Sequence, residues 1–435
     1  MNAAGTTLVP DARATGPAGL LADLGDGGVT PLATHRRRYP APPPAGPAPR
    51  ADLISVVADS GLGGRGGAGF PTGEKLRAVA ARRGPRVVVV NASEGEPASA
   101  KDRLLLTRAP HLVLDGAVLA AAAVGAETVV VAVDRAHTAA LDAVRQAIVE
   151  RRGERATVDL RLAATPTRYV AGESSALVRW LDGGPAKPTG ASAHAGAPGG
   201  VEGRPTLVQN VETLAHLAQI LRYGSGWFRA TGTADEPGTA LVTVTGAVRR
   251  PCVMEVPWGT PVSDLLGRAG GPTEQLQALL VGGFSGAWVP APAAFDAPFS
   301  RAGLAPFAAS PGAGVIVALP EAACGLTETA RVLDWFAAES AGQCGPCVRG
   351  LPALAGAAAA LPRDSSGDAA ARLRRWADDI EGRGGCRHPD GAVALLRSAL
   401  DVFAADLARH ARGDGCAGAG RPPVLAVPVP AAGWR

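Results

Sequence analysis

The chain is poor in aromatic side chains: Phe, Trp and Tyr together supply 4% of its 435 residues. Charge of one sign is missing as well. The 43 Lys and Arg side chains stand against 39 Asp and Glu, and the net +4 is scattered. Without a dense basic face, interleaved aromatics or a nucleic-acid motif, nucleic acid is excluded as a partner. Long apolar runs are absent too. Residues 112–124 are shorter than the ~20 that cross a bilayer, and rich in alanine, so direct membrane insertion is not expected. The first residues lack the charged-then-apolar pattern of a secretion signal. Cysteine is scarce, with 6 in the whole chain, which is no disulfide framework. Two of them form a C-x-x-C pair, and that usage points to a reducing, cytoplasmic compartment.

Glycine and proline are abundant, at 57 and 37 residues, while 47% of the chain is hydrophobic. That balance implies two to four domains with sizeable cores, joined by long loops. The densest glycine cluster lies at residues 61–75, with 7 glycines, one arginine and one lysine. Missing Cβ atoms let backbone N–H groups approach a ligand directly, and Arg65 and Lys75 offer charge to a phosphate. A loop built only for flexibility would favour serine and lack the fixed Phe-Pro-Thr-Gly exit. The spacing Gly64-x-Gly66-x-x-Gly69 matches the dinucleotide fingerprint, but residues 51–60 before it read as a helix. A Rossmann turn needs a strand there. The loop is therefore expected as a phosphate cradle that precedes an α/β sheet.

Residues 1–50 read as a poorly ordered arm, with Arg36-Arg37-Arg38 a solvated charge run and Pro42-Pro43-Pro44 beyond it. Residues 51–235 alternate apolar strands (86–90, 128–133, 157–162) with helices (112–124, 137–151). This pattern predicts a Rossmann-like α/β domain with a parallel sheet covered on both faces. Asn91, Glu94 and Glu96 follow the first strand, at the carboxyl end where such sheets hold ligands. Residues 183–205 form a linker, and 205–213 open a helix through 221. Strands 241–246, 252–257 and 278–282 with a helix at 262–269 suggest a small β-grasp-like domain over 236–312. Residues 320–412 repeat apolar positions at helical spacing and predict a four-helix bundle, followed by a tail at 413–435.

Cys344-Gly345-Pro346-Cys347 and Cys386-Arg387-His388 fall in loops at the same end of that bundle. Three thiols could converge there as a metal site, the alternative being buried structural cysteines. Spacing alone also permits a purely structural Cys₃His zinc site with His388.

Five segments, in order, resemble those of the FMN- and NADH-binding flavoprotein subunit of bacterial NADH:quinone oxidoreductase and the related diaphorase subunits of hydrogenases and formate dehydrogenases. Residues 61–75 resemble G-L-R-G-R-G-G-A-G-F-P-T-G-x-K, and 91–103 resemble N-A-D-E-x-E-P-G-T-F-K-D-R. Residues 169–177 are similar to Y-x-x-G-E-E-T-A-L, 205–213 to P-T-x-x-N-N-V-E-T, and 339–350 to E-S-C-G-x-C-x-P-C-R-x-G. The resemblance implies FMN held by Gly64, Arg65, Gly67, Lys75, Asn91, Glu94, Tyr169, Gly172, Glu173, Val208 and Asn210, with NADH near Phe70 and Glu96. It implies a soluble-ligand-binding β-grasp domain and a [4Fe–4S] cluster on the bundle, matched by Cys344, Cys347 and Cys386. It further implies electron transfer from NADH through FMN to a partner, a small thioredoxin-like iron–sulfur subunit or a ferredoxin.

Five of this chain's departures from the pattern bear on the cofactors. Ser93 and Ser174 replace acids, Gln209 an asparagine, Ala100 an aromatic, and Ala341 the first cluster cysteine. Loss of two carboxylates suggests weaker discrimination between NADH and NADPH. Loss of the thiol leaves His388 as the expected fourth ligand, with Ser340 or a solvent oxygen behind it, because Cys252, Cys324 and Cys416 lie too far along the chain. The alternatives to an active flavoprotein are a non-catalytic relative and the zinc site.

Overall fold

Strand β2 (Arg86–Ala92) explains the first domain. Its four valines, Val87 to Val90, are all fully buried, so the strand needs cover on both faces. In the computed structural model, which describes residues 9–11, 19–22, 24, 27–40, 50–154, 158–190, 199–361, 368–414, 418 and 421–435, that cover is helical. Strands β3 (Ala126–Asp134), β4 (Asp159–Thr165) and β5 (Thr206–Asn210) complete a parallel sheet of order β4-β3-β2-β5. Helices Pro110–Val124 and Val211–Tyr223 pack on one face through Leu114, Ala117, Leu214 and Leu217. Leu177 of helix Ser174–Leu181 closes the other.

The chain runs from β2 outward to β4 and then returns to the opposite side of β2 with β5. The sheet therefore has a switch point between β2 and β5, where a crevice opens beyond the strand ends. Register places Asn91 directly opposite Asn210 there. Residues 206–210 were expected to open a helix. They form β5 instead, and the helix begins at Val211, because pairing with β2 outweighs the weak strand preference of Gln and Asn.

A second, mixed sheet has the order β1-β7-β6-β10-β8-β9, from β1 (Val9–Asp11), β6 (Thr239–Gly246), β7 (Cys252–Pro257), β8 (Leu276–Val281), β9 (Ala287–Pro290) and β10 (Val315–Pro320). Strand β10 sits between β6 and β8, so the sheet extends past the expected end at residue 312. Its side chains alternate as a strand dictates. Ile316 and Ala318 join the small domain's own core, while Val315, Val317 and Leu319 face the helical domain. That shared face seats helices Gly325–Ala338, Leu351–Ala360, Asp368–Ile380 and His388–Val402, the expected bundle, with a short helix Ala404–Ala411 after it.

The arm and the tail are both more engaged than expected. β1 extends the second sheet along β7. Leu20 and Leu21 are buried, and helix Leu32–Arg38 brings Arg36 to Asp115 (2.9 Å) and Glu154 (2.6 Å). The triple arginine is not simply solvated, because buried Asp115 needs cationic partners. Pro42-Pro43-Pro44 lies outside the described residues. In the tail, Leu425 is buried, Glu328 accepts from the N–H groups of Val424 and Leu425, and Arg168 stacks over Trp434. Among the described residues no single helix is long and apolar enough to cross a membrane. The bent pair Lys101–Arg108 and Pro110–Val124 meets that test only by length and composition, and the second helix is mostly buried.

Candidate cofactor site

At the switch point lies a cleft of ≈ 790 Å³, within the size range of cofactor sites. All thirteen residues expected to bind flavin or nicotinamide line it, from Gly64 and Arg65 through Lys75, Asn91 and Tyr169 to Val208 and Asn210. One wall is the glycine loop, closed as a hairpin by Gly64 N–H donating to the Phe70 carbonyl (2.9 Å) and a bridge between Gly63 and Pro71. Gly67 sits at φ +100°, a conformation that a side chain would strain. Arg65 N–H donates to Thr213 Oγ1 (2.9 Å) and fixes the loop over helix Val211–Tyr223. Phe70 stands exposed on the loop.

The charges divide the roles. Lys75 Nζ donates to the Val208 carbonyl (2.5 Å), burial lowers its pKa, and among the described residues no carboxylate pairs with it. It is the uncompensated cation of the cleft. Arg65 was expected to share that duty, but its guanidinium turns toward the second domain. It donates to the Thr239 carbonyl (2.9 Å) and lies over Trp258 (4.8 Å), and burial lowers its pKa to about 10. Sequence could not show this, because Trp258 comes from another domain.

Glu94 lines the cleft at φ 33°, with both carboxylate oxygens already committed. They accept from the Asp102 and Arg103 N–H groups (2.9 and 3.0 Å) and from Ser99 Oγ (2.8 Å), capping helix Lys101–Arg108. Burial alone would raise its pKa, yet Arg103 and Lys101 hold it below the usual range. Glu96 behaves oppositely. It accepts from Phe284 and Ala98 N–H groups (3.0 and 3.2 Å), and burial pushes its carboxyl up to about 7.

Asn91 Nδ2 donates to the Gly172 carbonyl (2.7 Å), and Glu173 caps helix Ser174–Leu181. Asn210 caps Val211–Tyr223 and donates to Asp102 (2.5 Å). Lys101, which sequence reasoning assigned no role, lines the cleft with Asp102 and pairs with Glu212 (2.9 Å). Its signal was present in the K-D-R end of the second motif. Of the substituted positions, Ser174 lines the cleft and Ser93 does not, since its Oγ meets Thr165 Oγ1 (3.3 Å) in the interior. Gln209 lines the cleft, and its buried Nε2 has no partner among the described residues.

At the bundle, Cys347 lies on a π turn, Pro346–Gly350, a distortion that recurs at functional sites. Its thiol contacts that of Cys344, and Cys386 feels both. Burial pushes the Cys386 thiol up to about 11 and raises Cys347 as well. His388 does not join them as expected. It is the first residue of helix His388–Val402, and its Nε2 bonds the Phe336 carbonyl (2.8 Å). Its ring packs against Tyr169 and Phe336 (centroids 5.4 and 5.1 Å), and burial lowers its pKa to about 4. Among the described residues no three His, Cys, Asp or Glu side chains converge as one metal ion requires, so the Cys₃His zinc site is not formed.

Known families match the sequence of this chain region by region. The Nuo51 FMN-binding domain matches residues 57–219, the SLBB domain 241–283, and the NADH-ubiquinone oxidoreductase-F iron-sulfur binding region 327–410. The F 2 subunit of Rhizobium meliloti NADH-quinone oxidoreductase is 32% identical over 377 residues, 82% of this chain and 88% of that protein. The F subunit of the Mycobacterium bovis enzyme is 32% identical over 408 residues, 88% and 91% of the two chains. The chain belongs to the family of NADH-quinone oxidoreductase F subunits. A crystal structure of an NAD⁺-reducing [NiFe]-hydrogenase in the air-oxidised state contains a similar chain, with TM-score 0.81 and 29% identity over 98% of this chain and 74% of that one.

The flavin of this family fits the cleft as it stands. The unpaired Lys75, the glycine-loop backbone and the orphaned Gln209 Nε2 are the groups an anionic, hydrogen-bonding cofactor would satisfy. The family's iron–sulfur group fits less completely. Cys344, Cys347 and Cys386 supply three thiols, and at the fourth place stands the buried methyl of Ala341.

Proposed function

We propose that this chain is the NADH-oxidising flavoprotein component of an electron-transfer assembly, holding FMN in the switch-point cleft and passing electrons toward its iron–sulfur region. The observation that carries this reading is the convergence of four of the five motif segments (61–75, 91–103, 169–177 and 205–213) on one cleft, around a cation without a counter-ion among the described residues. Lys75 and the N–H groups of the glycine loop would meet the phosphate, which is stronger as a charge-assisted contact. Asn91 and Gln209 would orient the ring system by hydrogen bonds. Phe70 offers an exposed aromatic face on the cleft lining, where NADH would stack, and Glu96 lines the same cleft. FMN, when bound, accepts hydride from NADH and releases electrons singly; the protein's part is to position and tune it. No side chain is required as acid or base.

The chain works with other subunits, and the partner we favour is a small thioredoxin-like iron–sulfur subunit or a ferredoxin docking near Cys344 and Cys386, both partly exposed. A reducing, cytoplasmic setting accords with the scarcity of cysteine, 6 in 435 residues, and with the C-x-x-C pair at Cys344 and Cys347. NADH-dependent ferricyanide reduction by the FMN-loaded chain tests the reading. Activity that requires FMN supports it, and FMN-loaded protein that reduces no ferricyanide with NADH contradicts it.

A further inference from the structure

The loop that carries Ala341 cannot exchange that residue for a better ligand. It is held at its main chain by Lys187 Nζ, which donates to the Ala341 carbonyl (2.7 Å), and through a side chain by Gln343 Nε2, which donates to the Pro188 carbonyl (2.6 Å). Just before it, the Glu339 carboxylate accepts from Tyr169 N–H (2.8 Å) and pairs with Arg168 (3.3 Å). The methyl of Ala341, 4% exposed, is thus fixed where the fourth thiolate would stand.

No other described side chain reaches that place. Ser340 Oγ accepts from Gly342 N–H (3.1 Å) and donates to the Cys347 carbonyl (3.3 Å). His388 is held at Phe336, as described above. Cys324 precedes helix Gly325–Ala338, whose 14 residues separate it from the loop by ~21 Å. Cys252 is buried within β7. Cys416 lies outside the described residues.

We propose that the iron–sulfur site of this chain has three cysteine ligands, Cys344, Cys347 and Cys386, and an open fourth corner whose iron is bound by a solvent-derived oxygen and is exchangeable. The inference rests on the iron–sulfur reading above. Three thiolates hold three irons of a cubane, and a cubane spreads its sulfur ligands wider than a single ion does. At the fourth corner the chain would offer the Ala341 methyl group beside the exposed residues Gly342 and Gln343, where water has access. On oxidation, one electron passes to an acceptor such as ferricyanide, one ferrous ion leaves, and a three-iron, four-sulfide core remains. Dithionite supplies the electron back, and added ferrous ion refills the corner.

The test uses the full chain reconstituted anaerobically with iron and sulfide and then titrated with ferricyanide. Wild type is expected to lose about one iron in four and to develop the EPR signal of a three-iron cluster. Isotopically labelled ferrous ion should then enter one distinct site by Mössbauer spectroscopy. Ala341→Cys is expected to suppress both changes, and Ser340→Ala to behave as wild type. A wild-type cluster that keeps all its iron under ferricyanide overturns the open corner, as does loss of the four-iron form in Ser340→Ala. Failure of both wild type and Ala341→Cys to take up iron overturns the cluster assignment itself, while flavin content of the same samples reports separately on the cleft.

Discussion

Lys75 gives two effects of opposite sign from one substitution. In the flavin-free protein its side chain is largely buried, its ammonium bonds the Val208 carbonyl and no other partner among the described residues, and its pKa is lowered by burial. The charged form is therefore less stable in the fold than in water. Lys75→Met keeps the length of the stem and removes the buried charge, so the flavin-free protein should melt at a higher temperature. In the cleft, the same change removes a charge-assisted contact to the phosphate, worth ~1.5–3 kcal/mol, or roughly ten- to a hundredfold in Kd. Lys75→Glu adds repulsion: at ~4 Å and an effective dielectric near 20, one unit charge pair is worth ~4 kcal/mol, a further ~1000-fold. Quenching of FMN fluorescence on titration with flavin-free protein measures the affinity, and calorimetry measures the melting. FMN binding within threefold of wild type in Lys75→Met, or a lower melting temperature, would refute the placement of the phosphate at Lys75.

Glu96 has its carboxyl raised from an ordinary 4.5 to about 7, so the folded state keeps a proton that the unfolded chain has released. Stability should fall as pH rises through that window, by on the order of 3 kcal/mol, and Glu96→Gln should flatten the slope in urea melts taken across it. Gly283 has φ +98°, and an added Cβ would lie 2.5 Å from the Glu96 carboxyl. Gly283→Ala is expected to cost ~1–3 kcal/mol by thermal unfolding and to raise the KM for NADH by displacing Glu96. Asp115 is buried among His35, Arg36 and Arg151, which hold its carboxyl well below the usual range although burial alone would raise it. Asp115→Ala takes the close carboxylate from buried Arg151 and one of the two from Arg36, which keeps Glu154, and should cost ~3–5 kcal/mol in denaturant unfolding. Melting unchanged in Asp115→Ala would show the arm to be loosely held.

The parallel sheet was legible because Val87–Val90 and Val129–Val131 are unbroken apolar strands, and the bundle because its leucines recur at helical spacing. β5 was not, since Thr-Leu-Val-Gln-Asn becomes a strand only through its register with β2. β10 was missed for a related reason: its five apolar residues serve two cores at once, and periodicity cannot divide a run buried on both faces. The cleft was legible as a set of motifs, and its members do meet. The division of labour inside it was not. Arg65 leaves for Trp258, Glu94 turns to a helix end, and His388 is drawn to Phe336, each through a partner distant in sequence.

Hydride acceptance in the cleft is the central claim, and stopped-flow spectroscopy addresses it most directly. The FMN-loaded chain is mixed anaerobically with NADH, and the visible flavin band is followed in time. Rapid bleaching that is slowed or abolished in Lys75→Glu is the expected result. A chain that retains FMN and shows no bleaching with NADH, or one that retains no FMN at all, would contradict it.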